Sequence, residues 1–133
     1  MNQRAPSNIV PDPRRRLGQQ GEAFVASTLT RAGYTVLDRN WRLTGVGELD
    51  IVARQGDEIV FVEVRTRRGP VSTAIALALE SIGPRKQARL AQLAEAYLAA
   101  HDLNDMAWRV DVAAVGCTSG TFALEIIQHA LNW

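Results

Sequence analysis

A chain of 133 residues, of which 47% are hydrophobic, is long enough for one domain with a single core and too short for a second full domain. Its 15 basic and 14 acidic residues nearly cancel, which excludes a global field that would draw the whole molecule to nucleic acid or to acidic lipid. The lone cysteine, Cys117, excludes a disulfide framework and a Cys-rich zinc site, and it favours a reducing, cytoplasmic setting.

The N-terminal segment is polar and contains several prolines. We therefore expect residues 1–16 to form a flexible basic arm ahead of a single domain over residues 17–133. The segment lacks the apolar core of roughly 7–15 residues that a secretory signal needs. No later run approaches the roughly 18 apolar residues of a membrane span, so we expect no association with a membrane. The basic run from Arg14 to Arg16 can contact phosphates or can simply aid solubility.

Hydrophobic periodicity and turn residues predict the secondary structure in chain order. Gly21, Val25 and Leu29 recur at helical spacing, and β-branched and aromatic residues mark the strands that follow. The predicted elements are a helix over residues 17–32, a strand over 34–43, two strands within 47–67, a helix over 84–101, and strands over 107–115 and 121–129. This order, αβββαββ, indicates an α/β or α+β domain whose mixed central sheet is flanked by helices.

The segment GELDIVARQGDEIVFVEVRTR, residues 47–67, predicts a hairpin with Gly56 and Asp57 at the centre of its turn. In that register Asp50 lies opposite Glu63, and Arg65 shares their face because side chains alternate along a strand. The other face is predicted to be wholly apolar. Its members are Leu49, Ile51, Ala53, Val60, Val62 and Val64.

The opposed carboxylates need an explanation, because like charges across a hairpin cost up to ~1 kcal/mol at exposed sites. A divalent cation such as Mg²⁺, which prefers carboxylate oxygens and water, can offset the repulsion between Asp50 and Glu63. Arg65 can offset it as well. Solvation on an exposed face is the remaining interpretation, and the spacing alone does not decide between these three.

The string formed by Asp50, a gap and Glu63-Val64-Arg65 resembles the D…(D/E)xK signature of restriction-endonuclease-like nucleases. Longer strings, GEAFVASTLTRAGYTVLDRNWR, the hairpin segment, the region around Lys86 and WRVDV, resemble the YraN family from about Leu17 onwards. These small bacterial proteins are regarded as endonuclease-like and similar in fold to archaeal Holliday junction resolvases. The resemblance implies a restriction-endonuclease-like fold and metal-dependent hydrolysis of phosphodiesters in structured or branched DNA.

Carried over to this chain, the resemblance implies that Asp50, Glu63 and Glu22 bind Mg²⁺ or Mn²⁺. Glu22 can also be an ordinary glutamate of a first helical turn, where the macrodipole favours acids. Arg65 departs from the signature, which has lysine there. Arginine stays protonated and cannot act as a base, although it can orient a phosphate and steady developing charge.

Further basic residues are candidates for contact with DNA phosphates, without choice of sequence. They are Arg42, Arg67, Arg68 and Lys86. Arg67 and Arg68 can instead guard a strand against aggregation, and Lys86 can be a solvated helix residue. Two other functions therefore stay open, a binding module of the same fold without turnover and a protein-interaction adaptor. A homodimer would suit a two-fold symmetric substrate.

The remaining polar residues indicate structural roles. His101 and His129 have no partner at ligand spacing, which indicates surface or helix-end residues. Asp111 interrupts an apolar strand, as Asp50 does, but an isolated strand aspartate is more often hydrogen-bonded in a structural role.

Overall fold

A computed structural model describes residues 12–131 as a five-stranded sheet flanked by helices. The elements are α1 (Pro13–Arg31), β1 (Thr35–Leu43), β2 (Gly47–Gln55), β3 (Glu58–Arg68), α2 (Val71–Glu80), α3 (Pro84–Ala100), β4 (Ala107–Thr118) and β5 (Thr121–Ile127). The predicted mixed α+β architecture is confirmed. Within the described range, none of the helices combines the length and the hydropathy that crossing a membrane requires.

The sheet has its strands in chain order, β1-β2-β3-β4-β5. Strand β3 pairs with β4 in parallel, and the other neighbours pair antiparallel. A parallel pair needs a long crossover, and α2 and α3 supply it. Because β3 is central, it receives side chains from both layers of helices.

The two faces of the sheet bury separate apolar clusters. Val25 and Leu29 of α1 pack on one face against residues that include Ile51 and Val62. On the other face, α2 and α3 pack against residues that include Phe61. The sheet therefore lies as a middle layer between α1 and the α2–α3 pair, and side chains of β3 alternate between them.

Helix α1 begins four residues earlier than the sequence predicted. Pro13 occupies the first turn, and the carboxylate of Asp12 accepts the backbone N–H of Arg14 at 2.9 Å. Residues 13–16 are therefore helical, and the predicted boundary of a flexible arm at residue 16 is wrong for them. Residues 1–11 of that predicted arm lie outside the described part of the chain.

Helix α2 was not predicted from the sequence. It lacks the polar face of a surface helix, since Leu77 and Leu79 are exposed while Ala74 and Ala78 are buried. Periodic hydrophobicity is the main signal for a helix, and here apolar residues occur all round. The structure therefore has order αβββααββ, with one helix more than expected.

The predicted hairpin register is confirmed from Ile51↔Val62 to Gln55↔Glu58, with Gly56 at φ 58° in the turn. The predicted apolar face is wrong at one position. Leu49 packs in the cluster beneath α3, whereas Ile51 packs beneath α1. The side chains of β2 therefore switch from one face of the sheet to the other at Asp50. Asn40, the residue opposite Asp50 on β1, has a left-handed φ of 55°, which is typical of strand irregularities.

Candidate functional site

Asp50 lies where the regular pairing of β2 with β3 ends. Beyond Ile51↔Val62 the ladder stops, and the Oδ2 atom of Asp50 accepts the backbone N–H of Val64 at 2.9 Å. The carboxylate thereby takes the place of a strand carbonyl and ties β2 to β3. This contact holds Asp50 near Glu63, although the ladder ends one position before the pair of Asp50 and Glu63 that the sequence predicted.

Glu63 is buried, with 4% of its side chain exposed, and two cations converge on one of its oxygens. The Oε2 atom lies 3.1 Å from Nη2 of Arg65 and 3.3 Å from Nζ of Lys86. Arg65 follows two residues later on the same face of β3, and Lys86 comes from the first turn of α3. A buried charge needs such partners.

Asp50 and Glu63 perturb each other strongly. Burial raises the pKa of Asp50 to about 8, and the charge of Glu63 adds to the rise, as does a carboxyl–carboxyl hydrogen bond between the two residues. The charge of Glu22 contributes in the same direction, while the N–H of Val64 opposes it. Asp50 is therefore mostly protonated at neutral pH unless a cation binds to its carboxylate.

Glu22 is positioned by an unusually close contact of α1 with β3. A Cβ atom at Gly21 would lie 1.9 Å from Oγ1 of Thr66, so only glycine lets the helix approach the strand here. Glu22 lies in the middle of α1, and the interpretation as a first-turn glutamate is wrong. With its amide nitrogen turned towards the acids, Asn40 donates to Glu22 at 2.9 Å and to Glu48 at 3.0 Å.

The electrostatic surroundings of Glu22 are mixed. Burial raises its pKa, the charges of Glu48 and Glu63 raise it further, and the charge of Arg39 together with the Asn40 amide opposes the rise. Glu22 is therefore close enough to interact electrostatically with the acid pair. Its own hydrogen bond, however, directs it to Asn40 on β1.

The acids differ in how well they could hold a metal ion. Among residues 12–131, no three His, Cys, Asp or Glu side chains are arranged to hold one ion together. The pair of Asp50 and Glu63 offers adjacent hard oxygen donors, which suit Mg²⁺ or Mn²⁺ that keeps several waters. The Nε atom of Arg65 is buried and has no hydrogen-bond partner among the described residues, which is unusual for a buried donor.

The predicted phosphate-binding residues differ in their availability. Arg67 and Arg68 are exposed at the end of β3, directly after the site. Arg42 is also exposed, but its Nη2 donates to Oε2 of Glu48 at 2.8 Å. Lys86 is only 27% exposed and engages Glu63, so the interpretation as a solvated helix residue is wrong.

The helical position of the basic run adds residues that the sequence reading did not assign to the site. A cleft of about 490 Å³ has Glu22 and Glu48 in its wall, together with Arg15, Gln19, Asn40 and Arg42. A second cleft of about 320 Å³ includes Arg16 and Arg68. Extending the helix back to its Asp12 cap and Pro13 would have placed these arginines on it.

The structural roles expected for the other polar residues are confirmed. Asp111 is buried, bonded to Nε of Arg109 at 3.0 Å and to the backbone N–H of His129 at 3.1 Å. His101 ends α3 and stacks on Tyr97, with 3.9 Å between ring centroids. His129 is exposed.

Comparison with known proteins gives the family. The model of the family described as Uncharacterised protein family UPF0102 matches residues 21–115. The chain belongs to this family. A UPF0102 protein of Chloroflexus aurantiacus is 51% identical over 112 residues, covering 84% of this chain and 88% of that relative. One from Roseiflexus castenholzii is 50% identical over 122 residues, covering 90% and 95%.

The UPF0102 match confirms the resemblance to the YraN family, and its region contains Glu22, Asp50, Glu63 and Lys86. Among solved structures, the chain is similar to SfsA of Pyrococcus furiosus in complex with Ca²⁺, with a TM-score of 0.30 and 13% identity. That similarity covers 86% of this chain and 62% of the SfsA chain.

Proposed function

We propose that this UPF0102 protein is a metal-dependent nuclease that hydrolyses phosphodiesters in structured or branched DNA. The observation that carries the proposal is the contact of two carboxylates, Asp50 and Glu63, at the end of a strand pair. Burial, together with the charge of Glu63, raises the pKa of Asp50 to about 8. The ionised form of Asp50 is therefore unfavourable here, and a purely structural hairpin has no need of an acid at this position. A divalent cation bound to the pair would stabilise the ionised form.

Each candidate site residue would have a distinct role. Asp50 and Glu63 would hold Mg²⁺ or Mn²⁺, and Glu22 faces the same region from α1. When bound, the metal supplies polarisation of the scissile phosphate and an attacking water of lowered pKa. Arg65, whose Nε is buried without a partner among the described residues, orients the phosphate and stabilises its developing charge.

Basic side chains beside the candidate site residues support DNA as the substrate. Arg67 and Arg68 extend from the end of β3, and Arg15 and Arg42 line the cleft beside Glu22. Arginine forks match phosphate oxygens and give affinity that is independent of sequence. Such contacts leave selectivity to the shape of the DNA.

The test is cleavage of labelled duplex, single-stranded, flap and four-way DNA by the purified protein with Mn²⁺ or with a chelator. We expect Mn²⁺-dependent cleavage that Asp50→Asn abolishes, because the amide cannot supply the second anionic oxygen donor. Asp57→Asn is the matched control, since Asp57 is exposed in the turn at the other end of the same strands. No cleavage by the wild type under any condition would refute the proposal.

A DNA-binding module without turnover is the second candidate, favoured by Arg65, since a guanidinium cannot give up a proton. The two candidates differ in what Arg65→Lys and Arg65→Ala do. For the enzyme, Arg65→Lys retains cleavage and Arg65→Ala lowers it by about 10²–10³-fold, the loss typical of one transition-state donor. For the binding module, all three proteins leave DNA intact and Arg65→Ala only binds it less tightly.

A further inference from the structure

Lys86 reaches the acid pair because of how α3 begins. Gly83 caps the helix and Pro84 starts it, so that Lys86 lies in the first turn. Leu90, one turn later on the same side of the helix, is buried against the sheet. The same face therefore points Lys86 at β3, where its Nζ lies 3.3 Å from Oε2 of Glu63.

Stability alone does not account for Lys86 in this place. Glu63 already has a partner in Arg65, bound to the same oxygen at 3.1 Å. The N-terminus of a helix carries partial positive charge and disfavours a cation by roughly 0.3–1 kcal/mol. Two cations thus converge on one carboxylate oxygen, which leaves positive potential for an anion that arrives beside Glu63.

We propose that Lys86 is a catalytic residue of this site, contacting the phosphate group that undergoes hydrolysis; this inference rests on the proposed nuclease function. An ammonium carries three N–H donors. One donor serves Glu63, and the partial exposure of the side chain, 27%, leaves the others open to a substrate. Arg65 approaches the phosphate from β3, and Lys86 approaches it from α3.

The experiment compares Lys86→Met with Lys86→Arg and with the control Arg85→Met in single-turnover cleavage of Mn²⁺-loaded protein. Arg85 is exposed in the same turn of α3 and lines a separate cleft beside the β1–β2 turn. We expect Lys86→Met to lower the cleavage rate at saturating DNA by about 10²-fold, as for the loss of one transition-state donor. Lys86→Arg should keep most of the rate because the charge remains, and Arg85→Met should cleave like the wild type.

A second readout separates catalysis from structural support of Glu63. Calorimetric titration with Mn²⁺ alone should show Lys86→Met binding the ion as tightly as the wild type or up to about tenfold more tightly, because a neighbouring positive charge is gone. Weaker Mn²⁺ binding would make Lys86 a structural support of Glu63 and would overturn the inference.

The kinetic outcomes also distinguish this inference from the proposed function. If wild type and Lys86→Met cleave at equal rates, the role of Lys86 is refuted while the nuclease function stands. A higher DNA concentration at half-saturation with an unchanged maximal rate would likewise refute it, since Lys86 would then serve binding only. A wild type that never cleaves refutes the nuclease function itself.

Discussion

Asp50 combines two unfavourable surroundings at one side chain, burial and a neighbouring carboxylate. Its raised pKa links protonation to folding. An unfolded aspartate has a pKa of about 3.9, whereas the folded value is about 8. Between these values the folded state holds a proton that the unfolded chain has released, so the free energy of unfolding falls as pH rises.

The prediction at this scale is a pH-dependent effect of Asp50→Asn. The stabilising contribution of the protonated carboxyl is fully present below about pH 4 and is lost as pH rises through about 8. The asparagine variant keeps a neutral side chain and an acceptor for the N–H of Val64. We therefore expect it to match the wild type near pH 4 and to exceed it in stability near pH 9, without metal.

Urea unfolding at the two pH values measures this difference. Asp57→Asn, in the exposed turn, is the control and should follow the wild type at both values. Part of the pH dependence should remain in Asp50→Asn, since burial also raises the pKa of Glu22. An Asp50→Asn variant with the same advantage at both pH values would contradict the raised pKa of Asp50.

At the scale of elements, the site depends on the contact of α1 with β3. Gly21 lies on Thr66, and the neighbours of these two residues, Glu22 and Arg65, are both candidate site residues. The spacing of helix to strand therefore determines how far Glu22 is from the acid pair. A side chain at position 21 has to push the helix away.

We expect Gly21→Ala to lower the free energy of unfolding by about 1–3 kcal/mol, the usual cost of overpacking a close contact. Gly18→Ala is the matched control, because no atom lies within 4 Å of a Cβ atom there. In the same helix it should stabilise the protein by up to about 1 kcal/mol, as alanine has the better helix propensity. Equal effects of the two substitutions in urea unfolding would refute the close contact.

Much of the element pattern could be predicted from the sequence because its signals are local. The hairpin register followed from Gly56 and from alternation, and these put Asp50 beside Glu63. What could not be predicted depends on contacts between distant residues. The change of face at Asp50 arises with the irregular Asn40 on another strand, and Lys86 meets Glu63 only through the packing of α3.

The buried polar cluster at the other end of the sheet shows the same limit. Arg109 and Asp111 stand two residues apart on β4, so their contact is local and accords with the structural role expected for Asp111. Arg109 also bonds Glu58 of β3 and Gln55 of β2. Those partners lie more than 50 residues away in sequence, and no periodicity indicates them.

For the whole molecule, charge is distributed unevenly although the net formal charge is only +1. Arg15, Arg16, Arg42 and Arg68 line clefts at the end of the sheet where the acid pair lies. At the other end, Arg54 hydrogen-bonds its own turn at Gly56. A local basic surface is thus compatible with the near-neutral composition, and binding should depend on few contacts.

The prediction for the whole molecule is that DNA binding weakens with salt and that the arginines at the end of β3 carry part of the dependence. On duplex DNA each phosphate contact contributes about −0.9 to the slope of log K against log salt. Arg67→Ala with Arg68→Ala should make the slope less steep by about 2 if both contact phosphates. The control is Arg31→Ala with Arg54→Ala, which removes the same charge from the C-terminal ends of α1 and β2, away from the acid pair. It should leave the slope unchanged. Fluorescence anisotropy across a salt series measures both slopes, and equal slopes for the two double variants would mean that Arg67 and Arg68 guard the end of a strand without touching DNA.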